Sequence, residues 1–178
     1  GMVHEWRQVI IAMAVLSMFV GAVGAIGQSN IKRLLAYSSI NNVGFMLVGL
    51  AAGTAAGASA VLLYLTIYLV MTLGAFLCVL AMNDSDGNAV ESLGQMAGLA
   101  RSRPWLATAL ALFMFSLAGL PPLFGFMAKL AVFNAAVDAN LLILAVLGVL
   151  ASVVAAYYYL RVVKVLFFDP PADVVVSG

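Results

Sequence analysis

The sequence predicts an all-α integral membrane protein with five transmembrane helices, the fourth discontinuous at Gly119-Leu120-Pro121-Pro122. Three observations carry this. Hydrophobic residues make up 65% of the chain and charged residues 8%, with a mean hydropathy of +1.14. A soluble chain carries about three times that charge density. The apolar residues fall into five runs, at 9–26, 34–52, 59–82, 104–138 and 140–168, separated by short polar breaks. Runs of this length fit spanning helices. They do not alternate polar with apolar residues, as the strands of a membrane barrel would. The chain reads as a single transmembrane module over residues 1–178.

Charge placement gives an orientation. If the runs alternate across the bilayer, Lys32, Arg33, Arg101, Arg103, Arg161 and Lys164 fall on one side and Arg7 alone on the other. The positive-inside rule makes the six-residue side cytoplasmic, with the N-terminus outside and the C-terminus inside. With a net charge of +1 and no basic patch, a nucleic-acid partner is not expected. Cys78 is the single cysteine, which excludes disulfide frameworks and cysteine metal sites. The opening Gly-Met-Val-His-Glu-Trp-Arg lacks a basic n-region and cleavage site, so no signal peptide is expected there; Gly1 ahead of Met2 reads as a cloning scar or an arbitrary cut.

The first run holds Gly21, Ala22, Gly24, Ala25 and Gly27, small residues that let helices approach closely and carry no functional weight alone. Ser29 or Asn30 is positioned to cap the second helix. That places Lys32 in its first turn, where the helix dipole disfavours cations. Lys32 is therefore either a proton-path residue or a positive-inside anchor, and charge alone favours the anchor. Tyr37, Ser38, Ser39, Asn41 and Asn42 follow in the same run, either bonding to neighbouring helices or lining a wet path.

The third run sets Tyr64, Tyr68 and Thr72 four residues apart, hence on one helix face, with Thr66 off that line. The face either carries hydroxyls toward Lys129 or packs as ordinary interhelical contact; spacing alone favours packing. The polar segment 83–88 lacks the twelfth-position glutamate of a calcium loop and reads as a connector. Residues 91–100 are expected to lie along the interface as a short amphipathic helix. In the last run, Arg161 and Lys164 can snorkel, and Asp169-Pro170-Pro171 ends the helix.

The run 104–138 carries the sharpest signal. As one helix it would be roughly 50 Å long, far beyond a ~30 Å hydrocarbon core. Pro121 and Pro122 supply no N–H groups and clash with the preceding turn, so the helix opens there. Open backbone in a membrane is tolerated only where protein buries it or water lines it. Lys129 follows within two turns of the break. A lysine deep in a spanning helix costs roughly 2.5–3.5 kcal/mol, which makes an ion or proton site the default reading. The plainer alternatives are a simple kink and a lysine that snorkels to the headgroups.

At 27–53 (GQSNIKRLLAYSSINNVGFMLVGLAAG), 116–130 (SLAGLPPLFGFMAKL) and 151–168 (ASVVAAYYYLRVVKVLFF) the chain resembles the subunit N family within the antiporter-like membrane subunits of bacterial NADH-quinone oxidoreductase, respiratory complex I. The first two motifs are shared more loosely with Mrp-type sodium/proton antiporters. The resemblance runs from Trp6 to Pro170. It implies that the broken run is the family's discontinuous twelfth helix and that Lys129 stands at its terminal proton-carrying lysine, while Lys32 matches a recurring basic residue. In L-type relatives the positions of Tyr64, Tyr68 and Thr72 carry two histidines and a lysine, and their absence argues against that type. Family proteins have about fourteen helices; this chain resembles helices nine to thirteen. The glutamate on helix five and the lysines on helices seven and eight are missing, so a fragment that does not pump unaided is expected.

The resemblance thus implies half of a proton channel in a redox-driven pump of the bacterial inner membrane. NADH, FMN, iron–sulfur clusters and quinone would belong to other subunits, since this chain has no cysteine cluster or nucleotide motif. Its partners would be neighbouring antiporter-like membrane subunits and the lipid bilayer. Burial disfavours the charged form of a lysine, whereas water or a nearby carboxylate favours it, so such a lysine can load and unload a proton as its surroundings switch. Two rivals stand beside this: a cation/proton antiporter subunit of the Mrp type, and a structural helix-packing module without transport. Few polar contacts are expected outside the break, which makes lipid or detergent essential.

Overall fold

The computed structural model describes residues 2–84, 92–119, 123–169 and 174–176. In chain order these form α1 (Met2–Ile26), α2 (Ile31–Ala51), α3 (Ala55–Leu80), β1 (Met82–Asp84), a 3₁₀ turn (Leu93–Met96), α4 (Leu99–Ser102), α5 (Pro104–Ala118), α6 (Phe124–Asp138), α7 (Leu142–Phe168) and β2 (Val174–Val176). Four helices, α1 from Glu5 onward, α2, α3 and α7, are long and apolar enough to cross a membrane, and the chain is a multi-pass membrane protein. The two short strands pair antiparallel, a small addition to a helical fold.

Local chemistry sets the helix ends. Asn30 caps α2, its Oδ1 accepting the N–H groups of Lys32 at 2.9 Å and Arg33 at 3.2 Å. Thr54 caps α3 through the N–H of Gly57. α6 ends in a Schellman motif: Asn140 takes φ 64, and the N–H groups of Asn140 and Leu141 bond back to Val137 and Ala136. Asparagine tolerates that left-handed conformation better than other side chains do.

The run 104–138 folds as two helices. α5 and α6 have 15 residues each, roughly 22 Å apiece, and neither alone covers a ~30 Å core. Together they cross, because they run antiparallel along the whole of α3. Phe113 lies against Gly74, Ser116 against Met71, and Asn134 and Asp138 share a groove with Ala56, Ser59 and Ala60. Pro121 and Pro122 lie outside the described residues.

α1 packs along α2 more extensively than any other pair of elements meets. The approach is close: a Cβ at Gly21 would strike the backbone of Tyr37 and Asn41, and one at Gly44 that of Met18. Arginines tie both ends of this hairpin. Arg7 donates from Nε to the carbonyl of Ala51 and from Nη2 to that of Ala52, each at 2.9 Å. At the opposite end, Arg161 of α7 donates to the carbonyls of Ile26, at 2.9 Å, and Gln28. These carbonyls have no partner within their own helix, so a cation there satisfies both hydrogen bonding and the dipole. Arg161 therefore does not snorkel as expected; Lys164 does remain exposed and pairs with Asp169 at 3.1 Å.

The amphipathic helix expected over 91–100 is not formed. From Ser92 the chain makes a capping box with Gln95, then breaks at Gly98, whose φ is 69. Leu93, Met96 and Leu99 are buried, and the Leu93 and Gly98 N–H groups bond to Ser29 and Val165. The segment turns its apolar side chains inward and plugs the end of the bundle.

The α1–α2 contact generates a prediction. Gly21→Ala forces the two backbones apart and should destabilise a full-length subunit by about 1–3 kcal/mol. Gly27→Ala, where a Cβ meets nothing nearer than 4.0 Å, should change stability by less than about 0.5 kcal/mol. Thermal unfolding in detergent measures both.

Candidate functional site

Lys129 sits in the second turn of α6 and is only 6% exposed. Its Nζ has no hydrogen-bond partner. It lies over the Phe45 ring of α2, 4.8 Å from the centroid, within the range of a cation–π contact. Its side chain also rests on the end of α5. A Cβ at Gly119 would stand 3.1 Å from Lys129 Cδ and 3.5 Å from Nζ, so a larger residue there would press on the side chain. Gly119 has φ 83, the left-handed conformation that ends α5. The ammonium group thus stands at the carbonyl, electronegative end of that helix.

Ser116 joins the two half-helices. Its Oγ accepts the Gly125 N–H at 3.1 Å, one of the donors α6 cannot satisfy internally, and its hydroxyl is directed at Met71 Sδ of α3. A Cβ at Gly125 would collide with the Ser116 carbonyl. Beside the join is a cavity of about 230 Å³ lined by Gly119, Phe126, Lys129, Phe133, Val149 and Ser152, among others. Ser152 Oγ is, like Lys129 Nζ, buried without a partner.

A second polar cluster lies on the other side of Phe45 in sequence and ties α2, α3 and α7 together. Asn42 is its hub. Its Nδ2 donates to the Tyr159 hydroxyl at 3.0 Å and to the Ser38 carbonyl at 2.6 Å, and its Oδ1 accepts the Tyr64 hydroxyl at 2.5 Å. Asn41 Nδ2 donates to the Tyr158 hydroxyl at 2.9 Å. Tyr158 and Tyr159 are fully buried, their ring centroids 4.4 Å apart. Phe45 contacts Tyr64 at 6.3 Å between centroids and Phe133 edge-on at 5.9 Å. It is the common neighbour of Lys129 and the hydroxyl cluster.

The expected face of α3 divides. Tyr64 enters the cluster; Tyr68 is buried one turn on; Thr72, level with the Ser116–Met71 contact, has a buried Oγ1 without a partner. Lys32 stands apart, half-buried in the first turn of α2, roughly 20 Å along that helix from Phe45. Asn41 and Asn42 bond to a neighbouring helix, one of the two readings that their run allowed, whereas Tyr158 and Tyr159 belong to the constellation although sequence reasoning gave them no site role. The signal was present in the Asn-Asn and Tyr-Tyr doublets, but which doublet meets which is decided across 117 residues. The interior is also richer in polar contacts than expected. Among the described residues no group of three His, Cys, Asp or Glu side chains converges, and Cys78 is a lone buried thiol, which leaves no donor set for an iron–sulfur cluster.

A family model described as NADH:quinone oxidoreductase/Mrp antiporter, transmembrane, matches residues 1–155. The chain is 60% identical over 176 residues to NADH-quinone oxidoreductase subunit N from Sphingopyxis alaskensis, covering 99% of this chain and 37% of that protein. Among solved structures, a chain of respiratory complex I from Thermus thermophilus superposes with a TM-score of 0.84 at 34% identity, covering 96% of this chain and 38% of the other. A chain of the Mrp complex from Dietzia sp. gives 0.82 at 28% identity, covering 94% and 31%. The chain spans about a third of the length of the curated relatives it matches.

The hub geometry predicts graded losses. Tyr64→Phe removes one hydrogen bond and should cost about 0.6–1.7 kcal/mol, the range for such bonds in membranes. Asn42→Ala removes three and takes away the acceptor of the Tyr64 hydroxyl, so it should cost more than Tyr64→Phe. The double variant should be less destabilised than the sum of the two singles. Thermal unfolding of the full-length subunit in detergent checks this.

Proposed function

Because the chain belongs to the NADH:quinone oxidoreductase/Mrp antiporter family of transmembrane proteins, we propose that it forms half of a proton translocation channel, with Lys129 as the proton carrier. The observation that carries this reading is a buried lysine with no hydrogen-bond partner, set where one membrane-crossing element is divided into α5 and α6. Holding a charge-bearing group there is expensive, and packing alone gives no return for it.

The surroundings suit a carrier. Lys129 and Ser152 line a half-open pocket of about 230 Å³, large enough for several waters. A water chain entering the cavity would load Lys129, and its withdrawal would favour release. Tyr64, Tyr68 and Thr72 form the adjoining hydroxyl path on α3, and Pro121 and Pro122 keep the broken segment from closing into a continuous helix. Lys32 we assign as an anchor, because it stands at a helix end remote from Lys129 and on the side that gathers six basic residues.

The likeness to subunit N supports placing the chain in the membrane arm of an NADH-quinone oxidoreductase, beside other antiporter-like subunits in a bacterial inner membrane. NADH, FMN, iron–sulfur clusters and quinone then fall to partner subunits, and this module answers their redox chemistry by moving charge. It would correspond to helices nine to thirteen of a longer subunit, with the C-terminus cytoplasmic. The similarity to an Mrp complex favours a second reading, a cation/proton antiporter subunit.

Lys129→Ala in the full-length subunit should lower proton pumping in proteoliposomes more than it lowers assembly of the complex. An unchanged proton-to-electron ratio would overturn the carrier role. An unchanged proton-to-electron ratio in a complex that assembles at reduced yield would favour a structural module, and sodium-dependent proton exchange without quinone reduction would favour the antiporter reading.

A further inference from the structure

Lys129 raises a question that its role as a carrier does not answer, namely what holds its charge. Buried ammonium groups are ordinarily paired with a carboxylate or fully hydrogen-bonded. Here neither holds. Among the described residues no Asp or Glu is buried, and Nζ has no hydrogen-bond partner. The polar side chains that are buried with it do not bond Nζ: Asn42 is engaged with Tyr159, Tyr64 and the Ser38 carbonyl, Ser38 with the Leu35 carbonyl, Ser116 with Gly125 and Met71, and Asn41 through Nδ2 with Tyr158, its Oδ1 having no partner.

What does meet the ammonium is the face of Phe45. The ring is fully buried and fixed from its sides by Tyr64 and Phe133. A desolvated cation over an aromatic face is attracted by the ring quadrupole more strongly than at an exposed site. We propose, building on the carrier role of Lys129, that Phe45 is a positioning residue that stands in for a counter-carboxylate, receiving the ammonium form of Lys129 through its π face.

The chemistry of proton release explains why a ring serves better than an acid. When a lysine paired with a buried carboxylate gives up its proton, it leaves an unpaired anion in an apolar interior, at a large cost. That cost pins the lysine in its charged form. An aromatic ring attracts the cation modestly and is left as a satisfied apolar group once the proton has gone. Phe45 therefore biases Lys129 toward loading by a modest amount and opposes unloading by no more than that same amount, far less than a buried carboxylate would. The carbonyl end of α5 at Gly119 acts in the same sense, as a fixed partial charge and not a titrating group.

The test replaces Phe45 in the full-length subunit, within the assembled complex, by phenylalanines carrying one to five ring fluorines. Fluorine withdraws density from the ring face and weakens its hold on a cation while nearly preserving shape, so assembly serves as an internal control. Phe45→Leu is the second variant, and Lys129→Met runs in parallel. The expected result is a stepwise fall in protons pumped per electron, with Phe45→Leu and the most fluorinated ring approaching the loss caused by Lys129→Met. A flat series beside an impaired Lys129→Met overturns the role of Phe45 and leaves the carrier standing. A Lys129→Met subunit that pumps normally overturns both, whatever the series does.

Discussion

An apolar interior gives no shelter to an unpaired polar group, and this constraint organises the whole bundle. Every polar side chain that the sequence places inside is answered by a specific partner, with few exceptions. Asn42 is answered by two tyrosines and a carbonyl, Arg161 by the open end of α1, and Arg7 by the open end of α2. Among the described residues three of the four exceptions lie in one region: Lys129 and Ser152 line one pocket, and Thr72 Oγ1 lies level with the junction of α5 and α6, whereas the fourth, Asn41 Oδ1, belongs to the tyrosine cluster. Groups left unsatisfied against a general rule mark the place where the molecule has kept its options open.

The division of one crossing element into two helices follows from the same rule. Ending α5 at Gly119 exposes carbonyls, and starting α6 at Phe124 exposes N–H groups, so both ends need compensation inside the membrane. Ser116 supplies part of it by capping Gly125 across the join. Lys129 is placed where the remaining field is electronegative. The break is therefore a source of fixed potential as well as a gap in a helix, and it is this potential that a mobile positive charge would feel.

Much of the architecture was legible in the sequence, because bilayer thickness and hydropathy act locally. The ends of the runs, the cap at Asn30 and the discontinuity near two prolines are short-range consequences of residue type. Legibility failed where partners lie far apart in the chain. Nothing near Asn42 announces that Tyr159 will meet it, and nothing near Arg161 announces the carbonyls of Ile26 and Gln28. The segment after Ser92 looked amphipathic because Leu93, Met96 and Leu99 recur at helical spacing, yet Gly98 breaks the helix and the same three side chains fill the end of the bundle. For the site, the charge of Lys129 in an apolar run was conspicuous, whereas Phe45 was one aromatic among many and gained meaning only from what lies over its face.

The two arginine ties have a mechanical consequence. Arg7 fastens the start of α1 to the end of α2, and Arg161 fastens α7 to the opposite end of α1. α1 is thereby held at both ends, to α2 at one and to α7 at the other, like a strut pinned at opposite corners of a frame. Among the described residues α5 and α6 meet through the Ser116 Oγ–Gly125 N–H bond and the contact of Lys129 with Gly119. A pull on α2 or α7 from a neighbour would be passed to α1 through the arginine ties, so that the three helices would shift as one body.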